Sequence, residues 1–405
     1  MPLVTELDLP RLDYDDDTLR GERFHAAMGE LREQGWLAAG PYGYYVLDRD
    51  ASEFFLRTKS AIFPGLTIAD LFGVSDGALR EQIDRNIINV NGDDHRRLRN
   101  LVNPALAPRA VQRYRPLMRG FLVELLDAIA AEGRCDFVAA VAKPYPSLTI
   151  AAVMGAPRED AERLHRWSNV IQRQFDPRAL TEERDLLDAN VAEFYEWAGA
   201  LLERRRADPG DDLISTLLAA EAQGDRLSDV ECVNLVLNVL VGGVDTTQSQ
   251  LAQAIRLFAE HPEQWELLAR DPQLAPQAVE EVLRFEPITP FTARITVDDL
   301  TYRDVTFPAG TIVTVASFCA NREPGDREQL ERFDITADRG EAKPLTFGAG
   351  IHYCVGANLA RAELGEALAY LPSRMTDLQL DGEPVLDSIS GIYGVLELPV
   401  RFRER

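Results

Sequence analysis

The sequence predicts a mainly helical protein with a smaller β portion, an α+β fold, and three observations support this class. Apolar residues recur at helical spacing from residue 93 to about residue 206 and again from residue 228 to residue 260. Segments rich in β-branched residues replace them between residues 290 and 320. Of the 405 residues, 46% are hydrophobic, enough to bury a large core. No repeat or long linker is visible, so we expect one domain over residues 1–405.

The N-terminal part combines one strand with a long irregular region. Residues 43–47 are rich in β-formers and follow a turn signal, which predicts a strand. Residues 60–92 are interrupted by proline and glycine, at Pro64, Gly65, Gly73, Gly77 and Gly92. We therefore expect a long loop region there, and such loops are usually functional.

The central part is predicted to be helical. Prolines divide residues 93–206 into separate helices. The longest helix begins at Ser228, where Ser228 and Glu231 have the spacing of a capping box, and it continues to Glu260. About 32 residues at about 1.5 Å each give a helix of about 48 Å. Another helix at 276–285 ends before Pro287.

The C-terminal part is predicted to start with strands and to end with a helix and a strand. Residues 292–297, 301–307 and 311–317 are β-branched or alternate, with a turn at 308–310. A loop over residues 321–351 precedes a last helix at 357–371, and the chain closes on a strand-like LELPVRF.

Charge and cysteine content exclude several classes of protein. The chain has 43 Lys and Arg against 66 Asp and Glu, a net charge of −23, which argues against non-specific nucleic-acid binding. The apolar stretches at 239–244 and 311–320 are too short to span a membrane. The four cysteines are far apart, so neither a disulfide framework nor a structural zinc site is expected. We expect a cytoplasmic protein.

Residues 347–361, FGAGIHYCVGANLAR, carry the strongest chemical signal. Three glycines surround Cys354 and would let the backbone approach a flat partner closely. Cys354 also comes just before a predicted helix, whose N-terminal N–H groups would stabilise a thiolate, an anionic metal ligand. A lone cysteine is more often an inert buried thiol, and we assign that interpretation to the other three, Cys135, Cys232 and Cys319.

This segment resembles the haem-binding signature of the cytochrome P-450 superfamily, the haem-thiolate monooxygenases, and the resemblance extends over about residues 20–402. It implies a triangular helical body with a long central helix and small β-sheets. It also implies haem b (iron protoporphyrin IX), with Cys354 as the axial ligand of the iron, which favours O–O cleavage. Phe347 would pack near the sulfur and His352 would bond a haem propionate. Further signature positions expected at the cofactor are Gly348, Gly356 and Ala360.

The long helix is interrupted by glycine and threonine at residues 242–247. Adjacent Gly242 and Gly243 cost about 2 kcal/mol against alanine in a helix interior, so they need a reason. One reason is a close helix crossing. The other is a local opening that holds O2, with Asp245 and Thr246 as an acid–alcohol pair that delivers protons. The segment resembles the family's pattern here, with Gly242 at the cofactor.

Further charged residues match structural and cofactor positions of the family. Glu281 and Arg284, at i and i+3, could be a surface ion pair but resemble the structural ExxR element. Its third member would be Arg332 or Arg339, and the sequence leaves both open. The resemblance also implies that propionates are held by a second set of side chains, His95, Arg99 and Arg294.

The resemblance implies that one oxygen atom of O2 is inserted into a lipophilic small molecule, by C–H hydroxylation or epoxidation. Electrons would come from NAD(P)H through a ferredoxin reductase and a ferredoxin, and the protein would be a monomer that binds neither nucleic acid nor membrane. The expected ferredoxin-docking face carries Arg96, Arg97, Arg109, Arg113 and Arg115. Pocket candidates, which could equally be core residues, are Ile87, Ile88, Val90, Ile288, Thr289, Phe291, Ile392 and Tyr393. Two alternatives are a peroxide-driven peroxygenase or decarboxylase and a non-catalytic haem sensor.

Overall fold

The computed structural model describes residues 1–222 and 227–404. Within them the chain forms two compact units. The first, here called the β-rich unit, comprises Met1–Pro64, Gln277–Cys354 and Val385–Leu396. The second, here called the helical unit, comprises Gly65–Pro276, Val355–Pro384 and Glu397–Arg405. Each unit therefore contains several separate stretches of the chain.

The helices dominate the described residues, as the hydrophobic pattern predicts. The first ten are α1 (Gly21–Gln34), α2 (Arg49–Arg57), α3 (Gly65–Leu71), α4 (Gly77–Arg85), α5 (Gly92–Val102), α6 (Pro108–Gln112), α7 (Arg115–Ala130), α8 (Pro144–Met154), α9 (Ala161–Ile171) and α10 (Pro177–Glu182). The remaining ones are α11 (Arg184–Ala207), α12 (Leu213–Ala222), α13 (Asp229–Gly243), α14 (Asp245–Glu260), α15 (Pro262–Arg270), α16 (Ala275–Phe285), α17 (Ser317–Ala320), α18 (Arg327–Leu330) and α19 (Ala357–Arg374).

The strands are short and belong to small sheets. They are β1 (Leu37–Gly40), β2 (Gly43–Val46), β3 (Ala61–Ile62), β4 (Arg134–Asp136), β5 (Phe291–Thr296), β6 (Leu300–Tyr302), β7 (Val305–Phe307), β8 (Ile312–Ala316), β9 (Met375–Leu380), β10 (Val385–Leu386), β11 (Val395–Glu397) and β12 (Pro399–Glu404). The predicted strand at residues 43–47 is confirmed as β2. The expectation of a single strand at 301–307 is wrong, because Arg303 adopts a positive φ of 51° and turns the chain into a β6–β7 hairpin.

A five-stranded sheet organises the β-rich unit. Its order is β1-β2-β8-β5-β3, in which only β2 and β8 pair in parallel. Aromatic side chains pack on it, and Phe24 lies 4.8 Å from Phe318 and 5.7 Å from Tyr393 between ring centroids. Because β5 lies inside the sheet between β8 and β3, a buried position on it, such as Arg294, is held on rigid backbone.

The central long helix of the helical unit confirms the sequence prediction. The Ser228 hydroxyl accepts a hydrogen bond from the Glu231 N–H at 3.3 Å, and the Glu231 carboxylate accepts one from the Ser228 N–H at 2.9 Å. The helix runs from Asp229 to Glu260 with a break at Val244. Among the described residues it is the one helix that could cross a membrane by length and composition. However, 67% of its most apolar window is buried, which is the position of a core helix.

The region at residues 60–92 is more ordered than the sequence suggests. It contains β3 and the short helices α3 and α4. Gly73, Gly77 and Gly92 adopt positive φ angles of 72°, 88° and 64°. These glycines lie at or beside the ends of short helices, and so the glycine-rich pattern delimits helices instead of filling one loop.

Candidate functional site

Cys354 ends a tight loop of the β-rich unit. Its N–H donates to the Phe347 carbonyl at 2.9 Å, which closes the loop. Gly348 and Gly350 have φ angles of 69° and 72°, a left-handed conformation that glycine adopts without strain. A Cβ at Gly350 would lie 2.7 Å from the Leu56 carbonyl oxygen. Backbone conformation therefore favours glycine at both positions, and close packing also requires it at Gly350.

The four cysteines have different surroundings. Cys232 and Cys319 are buried, whereas Cys354 and Cys135 are partly exposed, so the expectation that Cys135 is buried is wrong. Burial raises the pKa of the Cys319 thiol to about 12, and burial together with nearby acids raises the pKa of Cys135 to about 12. Since a thiol must lose its proton to ligate a metal, these two are poor candidates. No cluster of three or more metal-ligating side chains occurs within residues 1–222 and 227–404, so the candidate ligand is a single thiolate.

Arg294 on β5 is a buried cation. The residue is 4% exposed, and its guanidinium donates to the Ala293 carbonyl at 2.8 Å. Within the described part of the chain it forms no ion pair with any carboxylate, and burial lowers the pKa of its guanidinium to about 10. A buried charge without a counterion is costly. Arg294 therefore fits an anionic group of a bound cofactor, such as a haem propionate.

A second pair of basic side chains lies on α5 of the helical unit. His95 is buried and Arg99, one turn later, is partly exposed. Burial lowers the pKa of His95, and the positive charge of Arg99 lowers it further. An anion bound there would stabilise both groups, which is the chemistry that a propionate supplies. His352, in the β-rich unit, is partly exposed in the turn Gly350–His352.

The two glycines in the long helix have different surroundings. A Cβ at Gly243 would lie 2.4 Å from Cδ1 of Ile150 on α8, so Gly243 permits a close helix crossing. A Cβ at Gly242 would meet nothing within 4 Å, so Gly242 faces open space. The Thr246 hydroxyl donates to the Gly242 carbonyl at 2.7 Å beside the break at Val244. A close helix crossing is therefore compatible with Gly243, and a local opening of the helix is compatible with Gly242.

Asp245 has a neutral hydrogen-bonding partner from another helix. Nδ2 of Asn169, on α9, donates to Oδ1 of Asp245 at 2.5 Å, and Asp245 is 7% exposed. The amide holds the carboxyl group beside Thr246. The sequence analysis did not find Asn169, because it lies 76 residues away in an ordinary amphipathic helix.

The structure answers which arginine joins Glu281 and Arg284. Arg284 binds the Glu281 carboxylate in a bidentate manner at 2.7 and 2.8 Å. Arg339 binds the same carboxylate at 3.1 and 2.6 Å. The Arg332 side chain pairs with Glu328, and only the Arg332 carbonyl accepts bonds from the two arginines. The network ties the loop that precedes Cys354 to α16.

The pocket candidates fall into two groups. Five are partly exposed, and a ligand could contact them: Ile87, Ile88, Val90, Thr289 and Ile392. The others are buried. Phe291 and Tyr393 belong to the aromatic core of the β-rich unit, and Ile288 is 5% exposed. Because the Tyr393 hydroxyl accepts a hydrogen bond from the Gly21 N–H at 2.7 Å inside that core, its expected ligand contact gives way to a structural role.

Four of the five arginines on the expected docking face form ion pairs within the helical unit. The pairs are Arg96 with Asp93, Arg97 with Glu231, Arg113 with Asp211, and Arg115 with Glu366. The local positive charge is therefore smaller than the sequence suggests.

Comparisons with known proteins agree with this chemistry. The family model described as "Cytochrome P450" matches residues 45–271 and 270–374. The luteothin monooxygenase of Streptomyces thioluteus is 36% identical over 399 residues, 98% of this chain and 96% of the relative. The mycinamicin IV hydroxylase/epoxidase of Micromonospora griseorubida is 36% identical over 326 residues, 79% of this chain and 80% of the relative. The crystal structure of CalO2 superposes with a TM-score of 0.90 at 30% identity, covering 98% of this chain and 100% of that one.

The chain is thus related over nearly its whole length to bacterial P450 enzymes. It also contains a thiol at the end of a glycine loop, buried basic groups that fit an anion, and an opened helix with an acid–alcohol pair. The chain belongs to the cytochrome P450 family, and it is a haem-dependent monooxygenase that acts on a small molecule with O2 and electrons from redox partners.

Proposed function

We propose that the chain holds haem b through Cys354 and inserts one oxygen atom of O2 into a lipophilic small molecule, by C–H hydroxylation or epoxidation. The observation that carries the proposal is the loop at Cys354. Its thiol is partly exposed, its N–H is bonded to the Phe347 carbonyl, and its backbone depends on left-handed glycines. When bound, a thiolate-ligated haem supplies the activation of O2.

The anionic edge of the cofactor is assigned to the basic residues described above. Arg294 supplies a buried guanidinium from rigid sheet backbone, and His95 and Arg99 supply a second basic pair. His352 is the fourth candidate for a propionate. The remaining signature positions, Phe347, Gly348, Gly356 and Ala360, are partly exposed and leave backbone and ring surface available to the macrocycle.

Proton delivery is assigned to Asp245 and Thr246. The Thr246 hydroxyl donates to the Gly242 carbonyl, and Asp245 accepts from Asn169. An alcohol beside a buried acid can pass a proton on from the acid. This pair favours an O2-dependent monooxygenase over a peroxide-driven enzyme, because peroxide already contains the protons and electrons.

The remaining assignments concern the setting of the reaction. We infer a single catalytic domain that works as a monomer in the cytoplasm, with electrons from NAD(P)H through a ferredoxin reductase and a ferredoxin. The partly exposed apolar side chains Ile87, Ile88, Val90 and Ile392 suit a lipophilic substrate. The names of the two curated relatives, a monooxygenase and a hydroxylase/epoxidase, support both kinds of oxygen insertion.

The decisive variant is Cys354→Ser. A serine hydroxyl is not a thiolate, so we expect the red-shifted ferrous–carbonyl band to be lost and turnover to fall by at least about 100-fold. The matched control is Cys135→Ser, since Cys135 is also partly exposed but its thiol has a raised pKa. Retention of the wild-type ferrous–carbonyl spectrum in the Cys354 variant would refute the assignment. Substrate-dependent consumption of NAD(P)H coupled to an oxidised product would separate a monooxygenase from a sensor or a peroxygenase.

A further inference from the structure

One face of α13 and α14 is accessible although the rest of this stretch is buried. Between residues 232 and 247, only positions 238, 242, 243 and 246 are not buried. Asn238, Gly242 and Thr246 are spaced by four residues, and so they lie on one helical face. Open space beside Gly242 agrees with this pattern. These positions therefore form an accessible helix face, on which Asn238 lies one turn from Gly242.

Asn238 is fixed in one orientation by the main chain. Its Oδ1 accepts a hydrogen bond from the Ile87 N–H at 3.1 Å. Because a backbone N–H can bond only the oxygen of the amide, Nδ2 must lie on the other side. Within the described residues Nδ2 donates to no other group, and it is not an enclosed atom. Asn238 therefore presents N–H donors on the accessible helix face.

The surroundings of these donors are otherwise apolar. The bond to Ile87 brings the segment of Ile87, Ile88 and Val90 against α13, and all three residues are partly exposed. A donor in such a place discriminates strongly among ligands, because an apolar ligand that excludes water leaves it unsatisfied. At about 1.5 Å per residue, Asn238 lies about 6 Å from Gly242 along the helix axis.

We propose that Asn238 is a specificity-determining residue that donates a hydrogen bond to an acceptor oxygen of the substrate, a ketone, ester, lactone or ether. The inference rests on the proposed function, since it places the oxidised end of the substrate beside Gly242 and Thr246. The substrate is then a lipophilic molecule that carries an acceptor oxygen about 6 Å along the helix from that end. A pure hydrocarbon would not satisfy Asn238.

The test compares matched ketones and hydrocarbons as ligands of the haem-loaded protein. The pairs are 2-tridecanone with tridecane, cyclopentadecanone with cyclopentadecane, and 5α-pregnane-3,20-dione with 5α-pregnane. Dissociation constants are measured from the low-to-high-spin shift and independently by calorimetry. We expect the wild type to prefer the ketone of at least one pair by about tenfold, the value of one hydrogen bond to a neutral acceptor.

Two variants at Asn238 separate its donor from its structural role. Asn238→Leu removes both functions. Asn238→Asp keeps an acceptor for the Ile87 N–H but removes the donors. Both should abolish the ketone preference, and Asn238→Leu should bind the hydrocarbon at least as tightly as the wild type, because the unsatisfied donor is gone. The control is Asn234→Leu, one turn earlier, since Asn234 is 2% exposed with both amide atoms enclosed and should leave the preference unchanged.

The outcomes distinguish this inference from the proposed function. Lack of a ketone preference in all three pairs, or its persistence in Asn238→Asp, would overturn the role of Asn238. Each protein is first checked for the thiolate-type ferrous–carbonyl band. Loss of that band in the wild type would instead contradict the haem-thiolate assignment, while calorimetry still reports the ketone preference.

Discussion

Glu281 in the β-rich unit and Glu363 in the helical unit are both buried carboxyl groups, 3% and 0% exposed, yet their surroundings are opposite. Glu281 accepts bonds from Arg284, from Arg339 and from the Asp334 N–H at 3.0 Å. Both carboxyl oxygens of Glu363 are enclosed and accept no hydrogen bond from the described residues. Two guanidinium groups therefore bind the first carboxyl group, whereas no cation of the described residues binds the second.

The neighbour of Glu363 explains which state is stable there. The Thr149 hydroxyl lies beside it but donates its single proton to the Tyr145 carbonyl at 3.1 Å. Thr149 can then only accept a bond from Glu363, and this requires a protonated carboxyl group. Burial raises the pKa of Glu363 well above its ordinary value. The comparison teaches that the partners, not the degree of burial, decide whether a buried acid acts as an ionic tie or as a neutral group.

The largest expected effect on stability comes from removing the carboxylate of Glu281 that binds Arg284 and Arg339. Glu281→Gln retains the shape of the side chain but leaves the buried Arg284 and the nearby Arg339 without their counterion. Removal of one partner from a buried ion pair costs about 3–5 kcal/mol, so we expect the free energy of unfolding to fall by that amount. Urea titration of the haem-loaded protein, followed by the helix signal and by haem release, measures it.

Arg339 and Arg332 provide a matched comparison for the ion-pair network around Glu281. Arg339→Ala removes a bidentate partner of Glu281 and should cost about 2 kcal/mol or more. The Arg332 side chain is 69% exposed and pairs with Glu328 at the surface, so Arg332→Ala should cost about 0.5 kcal/mol or less. Equal losses of stability in the two variants would contradict the network that the structure shows.

This network also shows how far the sequence could predict the site. The Cys354 loop, the capping box at Ser228 and the interrupted helix depend on residues close together in the chain, and local chemistry predicts them. Arg339 and Glu281 are separated by 58 residues, and two arginines in the same loop could equally have joined Glu281. Only the fold of that loop decides between them.

Contacts between distant helices account for the rest of what the sequence could not predict. Gly242 and Gly243 are identical in sequence, but the packing of Ile150 against one of them gives them different roles. Asn169 and Asn238 are ordinary polar residues of helices until tertiary contacts bring them to Asp245 and Ile87. Such roles follow from packing geometry, which no local pattern encodes.

The next prediction concerns Glu363, and the sign of its pH dependence of stability follows from its raised pKa. In the unfolded chain Glu363 ionises near its ordinary pKa of 4.5, whereas in the folded protein it stays protonated to a higher pH. Its contribution to stability is therefore complete below about pH 4.5 and is lost as the pH rises. Compared with Glu363→Gln, the wild type should lose stability as the pH rises above about 4.5, by at most about 1.4 kcal/mol per pH unit.

The unfolding of the wild type and of Glu363→Gln by urea is measured at several pH values. The difference between their free energies of unfolding removes the contribution of all other titrating groups. Glu366 on the same helix is the control position, because its carboxylate pairs with Arg115 at 2.8 Å and with Arg119 at 2.8 Å. Glu366→Gln should lower the free energy of unfolding, but its difference from the wild type should not show the pH dependence expected for Glu363→Gln. A wild-type protein that gains stability relative to Glu363→Gln as the pH rises would show that Glu363 is ionised in the fold.

Asp245 extends the comparison, because it is a buried carboxyl group that accepts a hydrogen bond from the amide of Asn169. The amide fixes the position of the acid, as proton delivery requires. Asn169→Ala should leave Asp245 less well oriented, so we expect product formation to fall about tenfold while NAD(P)H consumption continues and peroxide accumulates. The solvent deuterium isotope effect on product formation should increase, a change that a loss of stability alone would not produce. Asn190→Ala is the control, since Asn190 is a helical asparagine whose side chain donates to the Leu186 carbonyl on its own helix, at 2.8 Å. Equal coupling of electrons to product in Asn169→Ala and wild type would exclude a positioning role for Asn169.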